Sequence, residues 1–240
     1  MARGHIIRHP ARGAASAVAI AVLMLMVRAD ARAETFAPAN QAKPAAADVS
    51  ATLDALQHHY DTTRSFSASF TEQIAAVGAP VRTRHGTVAF RKPGMMRWNF
   101  DAPDKELLVS DGRTVYSYDP GLEQVMETPL RDALRAPGAT EFLLGAGDIR
   151  KDFIASAPKS PPPDDGLRYV TLRPRQGGNT IELGIEPKRG DIRRLKIIDQ
   201  LGNTTALEFS NLRDNLQIAD SEFQFTPPAG ADIVSPQGQR

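Results

Sequence analysis

The chain has 240 residues, of which 41% are hydrophobic, and its 29 Lys+Arg nearly balance its 28 Asp+Glu. It contains no cysteine, which excludes disulfides, zinc–thiolate sites and thiol nucleophiles. A chain of this charge that has no basic block also lacks the electrostatic pattern of a nucleic-acid-binding protein.

Residues 1–33 have the pattern of a cleaved secretory signal peptide. A basic region with three arginines comes first, and an apolar run of 14 residues follows at Ala14–Val27. Ala31 and Ala33 then provide the small side chains that a signal peptidase reads, so cleavage is expected before Glu34. The alternative is an uncleaved membrane anchor, but the run is shorter than the roughly 20 residues that span a bilayer.

Cleavage would change the sign of the charge. Five of the basic residues and one acidic residue lie in the signal, so the mature chain keeps 24 Lys+Arg and 27 Asp+Glu. No cysteine follows the signal to receive a lipid, and we expect a protein that is soluble once exported. Residues 34–47 are rich in Ala and Pro and are predicted to form a flexible leader. Residues 48–240 are long enough for a single domain with a substantial core.

A helix is predicted at the start of this domain. Asp48 or Ser50 can cap it. Apolar residues then recur at helical spacing and predict one buried face: Val49, Leu53, Leu56 and Tyr60.

From residue 65 onward, apolar and polar residues alternate, as in half-buried strands. Six strands are predicted in the first half, at 65–71, 81–91, 96–100, 107–109, 113–118 and 122–128. The Asp111-Gly112 pair indicates a hairpin turn. Residues 129–147 combine leucines with Pro and Gly, and are predicted to form one or two short helices with loops.

The second half continues with a short strand at 151–157 and an exposed, proline-rich loop at 159–166. Four further strands are predicted at 168–174, 180–186, 192–198 and 204–212, joined by turns rich in Gly and Asn. A short helical piece near Leu216 precedes a final segment, 223–233. Short strands at this spacing predict an antiparallel meander that forms a barrel or a sandwich.

The sequence offers little support for an enzyme. Three histidines follow the signal, at His58, His59 and His85, and the adjacent pair cannot face one metal as an i, i+4 pair would. Neither a nucleophile elbow nor a phosphate-binding glycine loop is present. We therefore predict no catalytic residues, no metal site and no cofactor.

The apolar residues suggest a different role. Strands rich in Phe, Met, Val and Ile flank residues 129–147, which have the composition of a loose apolar cover. A curled sheet can enclose a cavity for an apolar ligand. An ordinary filled core is the alternative, and periodicity does not separate the two.

Three stretches of the chain stand out as motifs: SFSASFTEQ at 65–73, GTVAFRKPGMMRW at 86–98 with its continuation at 107–120, and FQFTPPAGAD at 223–232. Together they resemble the LolA family of periplasmic lipoprotein carriers. With Phe142, Leu143 and Leu144 between them, the match covers nearly all of residues 49–235. The order and spacing of the motifs make the set specific.

The resemblance implies an unclosed antiparallel β-barrel of about eleven strands with short α-helices forming a lid over an apolar cavity. It also implies a monomeric periplasmic carrier that is not an enzyme. The implied partners are outer-membrane lipoproteins, an inner-membrane ABC transporter that releases them, and an outer-membrane receptor, LolB or an equivalent. A half-barrel carrier or sensor of another amphiphile, such as a glycolipid, is the alternative.

The acyl-chain cavity implied by this resemblance is expected to be lined by the larger apolar residues of the strands and of the central segment. They are Phe66, Phe70, Val88, Phe90, Met96, Trp98, Phe100, Leu107, Val109, Tyr116, Phe142, Leu143 and Leu144. Met96 stands where family members often carry an aromatic residue. Plain core packing is the alternative for Trp98.

The resemblance also implies a lid latch. Family members commonly carry Arg before the proline of the second motif, where this chain has Lys92 preceded by Arg91. Neighbours in a strand face opposite sides, so Arg91 cannot simply take over. Lys92 can donate to lid carbonyls, but it lacks the planar fork of Arg, which predicts a lid that opens more easily. A solvated strand-end cation is the alternative.

Overall fold

The computed structural model describes residues 43–133 and 148–235. The helices are α1 (Lys43–Thr62), α2 (Leu130–Ala133) and α3 (Ile149–Asp152), and a 3₁₀ turn spans Asp220–Phe223. The strands are β1 (Ser65–Ala75), β2 (Arg82–Arg91), β3 (Met95–Phe100), β4 (Leu107–Asp111), β5 (Thr114–Asp119), β6 (Gln124–Pro129), β7 (Phe153–Ser156), β8 (Arg168–Pro174), β9 (Thr180–Ile185), β10 (Ile192–Ile198), β11 (Thr204–Asp214) and β12 (Asp232–Val234).

All these strands form one twelve-stranded sheet in the order β12-β6-β5-β4-β3-β2-β1-β11-β10-β9-β8-β7. Its two ends, β12 and β7, are not paired with each other, so the sheet is unclosed. The mainly β, unclosed architecture expected from the sequence is confirmed. Twelve strands are present rather than about eleven, because Asp232–Val234 returns to the edge and pairs in parallel with β6.

Helix α1 begins earlier than the sequence pattern predicts. It starts at Lys43, so Asp48 and Ser50 lie inside it rather than at its N-terminus. The physical reason is composition: a proline is tolerated in the first turn, and the alanines that follow have the highest helix propensity. Within the described residues, no helix is long and apolar enough to cross a bilayer.

The predicted apolar face of α1 packs on one face of the sheet, called the inner face below. Leu53, Leu56 and Tyr60 are each at most 5% exposed and belong to the main core. The β9–β10 turn holds the helix from one side at Gly190, where φ is +77° and a Cβ atom would lie 2.3 Å from the carbonyl oxygen of Ala55. Only glycine allows this approach in this conformation.

A second, smaller cluster covers the outer face of β4–β6. Val109 and Val125 are fully buried there, and Phe223 from the 3₁₀ turn is 1% exposed. The ring of Phe225 lies 5.6 Å from that of Tyr116 and 5.9 Å from that of Tyr118. The C-terminal segment therefore packs on the side of the sheet opposite to α1.

Candidate functional site

The inner face of β1–β3 carries apolar side chains in three rows that run across the strands. Strand pairing aligns Phe66, Phe90 and Met96 in the first row, Ala68, Val88 and Trp98 in the second, and Phe70, Gly86 and Phe100 in the third. Small residues stand beside large ones in the second and third rows, which lets the rings interdigitate. The sequence correctly predicts that Phe66, Phe70, Val88, Phe90, Met96, Trp98 and Phe100 share one face.

The aromatic rings of these rows are in direct contact. Phe66 and Phe90 are stacked, with ring centroids 4.7 Å apart. Phe70 meets Trp98 edge-on at 4.9 Å and Phe100 at 5.2 Å. Trp98 and Phe100 are only partly buried against this cluster, so the apolar surface reaches the accessible part of the inner face.

Glycine at position 86 makes the third row possible. A Cβ atom there would lie 2.8 Å from the ring of Phe70 and 2.0 Å from the carbonyl oxygen of Asn99. The ring of Phe70 therefore occupies the space that any other residue at position 86 would fill.

Three residues expected in the cavity lie on the opposite face of the sheet, so that part of the prediction is wrong. Leu107 pairs with Asn99 and Val109 with Arg97, and Tyr116 pairs with Val109. Pairing instead places Leu108 beside Trp98, and Ser110 between Met96 and Val115. The run Leu107-Leu108-Val109 is apolar at every position, because the C-terminal segment covers the outer face of β4. Alternation of apolar and polar residues therefore cannot show which of these side chains lie on the inner face.

The end of β2 holds elements on both faces of the sheet. Lys92 donates from Nζ to the carbonyl oxygen of Tyr60, in the last turn of α1. Arg91 points the other way and donates to the carbonyl of Ile218 and to Asp220 Oδ1, both at 2.5 Å. Burial lowers the pKa of Lys92, and the nearby Asp61 opposes that shift. A cation is favourable at a helix C-terminus; the role of Lys92 as a lid latch stays a prediction.

A buried charged group continues the same inner face beyond the third row, and it is not among the site residues that the sequence predicts. Nε and Nη2 of Arg84 both lie 2.6 Å from Glu72 Oε2, and Nη1 lies 2.8 Å from Glu106 Oε2. The Arg84 guanidinium also lies 4.1 Å from the centroid of Phe100. The sequence does indicate their position, because Glu72 and Arg84 follow the same period-two alternation that places Phe70 and Val88 on the inner face.

Helix α1 is also flanked by polar residues of the β9–β10 turn. Asp191 is fully buried and lies 3.2 Å from Arg189 Nε and 2.6 Å from Arg193 Nε. Burial lowers the pKa of the neighbouring His59, which lies 4.0 Å from Asp214.

In residues 43–133 and 148–235, no group of three or more His, Asp or Glu is placed to hold a metal ion.

A groove of about 480 Å³ lies on the outer face, between the proline-rich loop and strands β8–β11. Its walls include four charged residues that are paired with one another, Lys196 with Glu182 and Arg194 with Glu208. This polar lining distinguishes the groove from the aromatic rows on the inner face.

The predicted cavity residues Phe142, Leu143 and Leu144 lie outside the described residues.

Comparison with known proteins places this architecture in a family. The family model described as "Outer membrane lipoprotein carrier protein LolA" matches residues 61–226. The outer-membrane lipoprotein carrier protein of Cupriavidus taiwanensis is 35% identical over 189 residues, covering 77% of this chain and 88% of that protein. That of Bordetella pertussis is 35% identical over 177 residues, covering 72% and 81%.

Two solved structures are also similar. An uncharacterized conserved protein from Thermus thermophilus aligns with a TM-score of 0.49 and 14% identity, covering 77% of this chain and 96% of that one. A LolA superfamily protein from Nitrosomonas europaea aligns with a TM-score of 0.42 and 12% identity, covering 74% and 97%. Because the family model and the curated relatives both match most of its length, this chain belongs to the LolA family of outer-membrane lipoprotein carrier proteins.

Proposed function

We propose that this protein is a non-enzymatic periplasmic carrier, exported by residues 1–33, that shields the acyl chains of outer-membrane lipoproteins. It receives them from an inner-membrane ABC transporter and passes them to an outer-membrane receptor. The observation that carries the proposal is the set of three apolar rows on the inner face of β1–β3, beside a helix that a single lysine fastens at its C-terminal turn.

The energetics of the site suit a carrier. Each buried CH₂ contributes roughly 0.8 kcal/mol, so an acyl chain gains enough from the aromatic rows to leave water. The same rings already pack on one another and on the core. Entry must therefore separate existing contacts, and this lowers the net affinity of the loaded state. A modest affinity is what a carrier needs in order to release its cargo to a receptor.

Release of lipoproteins from spheroplasts tests the proposal. The purified mature protein should release lipoproteins into solution as a 1:1 complex. Trp98 is the lone tryptophan and contacts Phe70 and Phe90, so its fluorescence should change on loading. Failure to release any lipoprotein, together with a co-purifying lipid of another kind such as a glycolipid, would favour the alternative of a carrier for another amphiphile.

Removal of the Lys92 amine should loosen helix α1. The charged hydrogen bond to the Tyr60 carbonyl is partly exposed, and we assign it about 1 kcal/mol. Lys92→Ala should therefore speed acyl-chain uptake and release about fivefold, as measured by stopped-flow Trp98 fluorescence. Amide exchange in the last turn of α1 should rise as well.

Two matched variants accompany this measurement. Lys92→Arg should restore slow exchange, because guanidinium can donate to the same carbonyl. Lys105→Ala removes an exposed lysine and should have no effect. If uptake, release and amide exchange are all unchanged in Lys92→Ala, Lys92 is only a solvated cation at the strand end.

A further inference from the structure

The apolar track on the inner face of β1–β3 ends at a charged row. Rows one to three contain no charged side chain, whereas the fourth pairs Glu72 with Arg84. Glu106 completes this charged group, and the three side chains are 9%, 3% and 12% exposed. Such deep burial is unusual for three ionisable groups, and it occurs where the aromatic rows stop.

The depth of the track is comparable to that of one lipid leaflet. Six residues of extended β1 separate Phe66 from Glu72, which corresponds to about 20 Å at about 3.3 Å per residue. Half of the hydrocarbon core of a bilayer is about 15 Å thick. A single acyl chain that enters beside Lys92 would therefore end close to the charged group.

An apolar chain cannot extend through this group without a large penalty. Arg84 is held by two carboxylates and lies over the ring of Phe100. Displacing it would leave buried charges without partners. The two carboxylates also disfavour any anionic headgroup there, so the methyl end of the chain faces the charged group and the headgroup faces Lys92.

We propose that Glu72, Arg84 and Glu106 form a charged floor that limits the length of acyl chain that the inner face of β1–β3 accommodates. This inference rests on the proposed carrier function. These residues determine specificity and do not attract the acyl chain. Beyond them there is no further apolar surface on β1–β3, so an added methylene no longer increases the binding affinity.

Saturated fatty acids from C10 to C20 provide the test, titrated below their micelle concentrations with Trp98 fluorescence as the readout. The wild-type protein should gain about fourfold in affinity per methylene up to a limiting length and then level off. The triple variant E72M/R84M/E106M replaces the floor by flexible apolar side chains of similar reach. It should continue to gain affinity for at least two further carbons.

Arg82→Met is the matched control. Arg82 belongs to the same strand but forms a more exposed ion pair with Asp104, and its loss should leave the limiting length unchanged. An identical limit in the wild type and the folded triple variant would overturn the floor, as would a wild-type profile with no limit. If the wild type binds no fatty acid and releases no lipoprotein, the carrier function itself fails.

Should the triple variant not fold, Glu106→Gln keeps the test decisive. The amide still accepts from Arg84, so the floor loses charge but not bulk. The limiting length should stay as in the wild type, while the preference against anionic probes at that end should weaken. Comparing C18 fatty acid with the corresponding C18 dicarboxylic acid measures this: the variant should bind the diacid at least threefold better, and an unchanged ratio would contradict the floor.

Discussion

Gly86→Val is expected to destabilise the protein by about 3 kcal/mol or more. Gly86 does not have a positive φ, so the effect is steric rather than conformational. A Cβ atom would lie 2.0 Å from the carbonyl oxygen of Asn99 and 2.8 Å from the Phe70 ring. The β2–β3 pair would have to separate and Phe70 would have to leave its contacts with Trp98 and Phe100. Urea unfolding measures the loss.

The same substitution should reshape the candidate site, because the third apolar row depends on the ring of Phe70. Trp98 fluorescence in the unliganded protein should shift, since Phe70 packs on it. Thr83→Val is the control, being a β-branched replacement at an exposed position of the same strand. It should change the stability by less than about 0.5 kcal/mol. If Gly86→Val were as stable as this control, the close packing of Phe70 over position 86 would be wrong.

Arg84→Met is expected to destabilise the protein by about 3–5 kcal/mol at neutral pH, because it leaves two buried carboxylates without their cation. Glu72 and Glu106 both lie within 2.8 Å of the guanidinium. Chemical denaturation at pH 7 measures the loss. The triple methionine variant removes the carboxylates as well and should recover most of the stability, since replacing a whole buried ion group by apolar residues is often neutral.

The loss of stability in Arg84→Met should depend on pH, because protonation removes the charge of the carboxylates that Arg84 pairs with. Burial already raises the pKa of Glu106 in the wild type, and Arg84 opposes that shift. Without Arg84 the pKa rises further, so the folded state binds more protons than the unfolded state between the two pKa values. Stability then increases as the pH falls. The defect should shrink between pH 7 and pH 4, and a constant defect over that range would contradict the assignment.

The amino-acid sequence is enough to predict the strand pattern and most of the residues on the inner face. Period-two alternation defines strands such as β1 and β2, and it correctly groups Phe66, Phe70, Phe90 and Trp98, because each strand here has one face toward the core. The motifs around these residues also indicate the family, which the comparisons confirm.

The face of β4 and β5 that lies inside cannot be predicted from local sequence and follows from the tertiary fold. Val109 and Tyr116 lie on the outer face, but Phe223 and Phe225 cover that face. Large apolar or aromatic side chains are therefore found on both faces of these strands. That cover comes from a segment about a hundred residues away in the sequence. Local alternation carries no information about such a distant partner, and strand register alone resolves it.

The charged floor was likewise decided by tertiary structure. Glu72 and Arg84 look like solvated positions in a sequence, and a polar residue on an inner face is normally a sign of exposure. The cost of burying them is offset only because β1, β2 and Glu106, which precedes β4, bring opposite charges within 2.8 Å of each other. That compensation depends on three segments meeting in space, and it is what closes the apolar track on which the proposed carrier function depends.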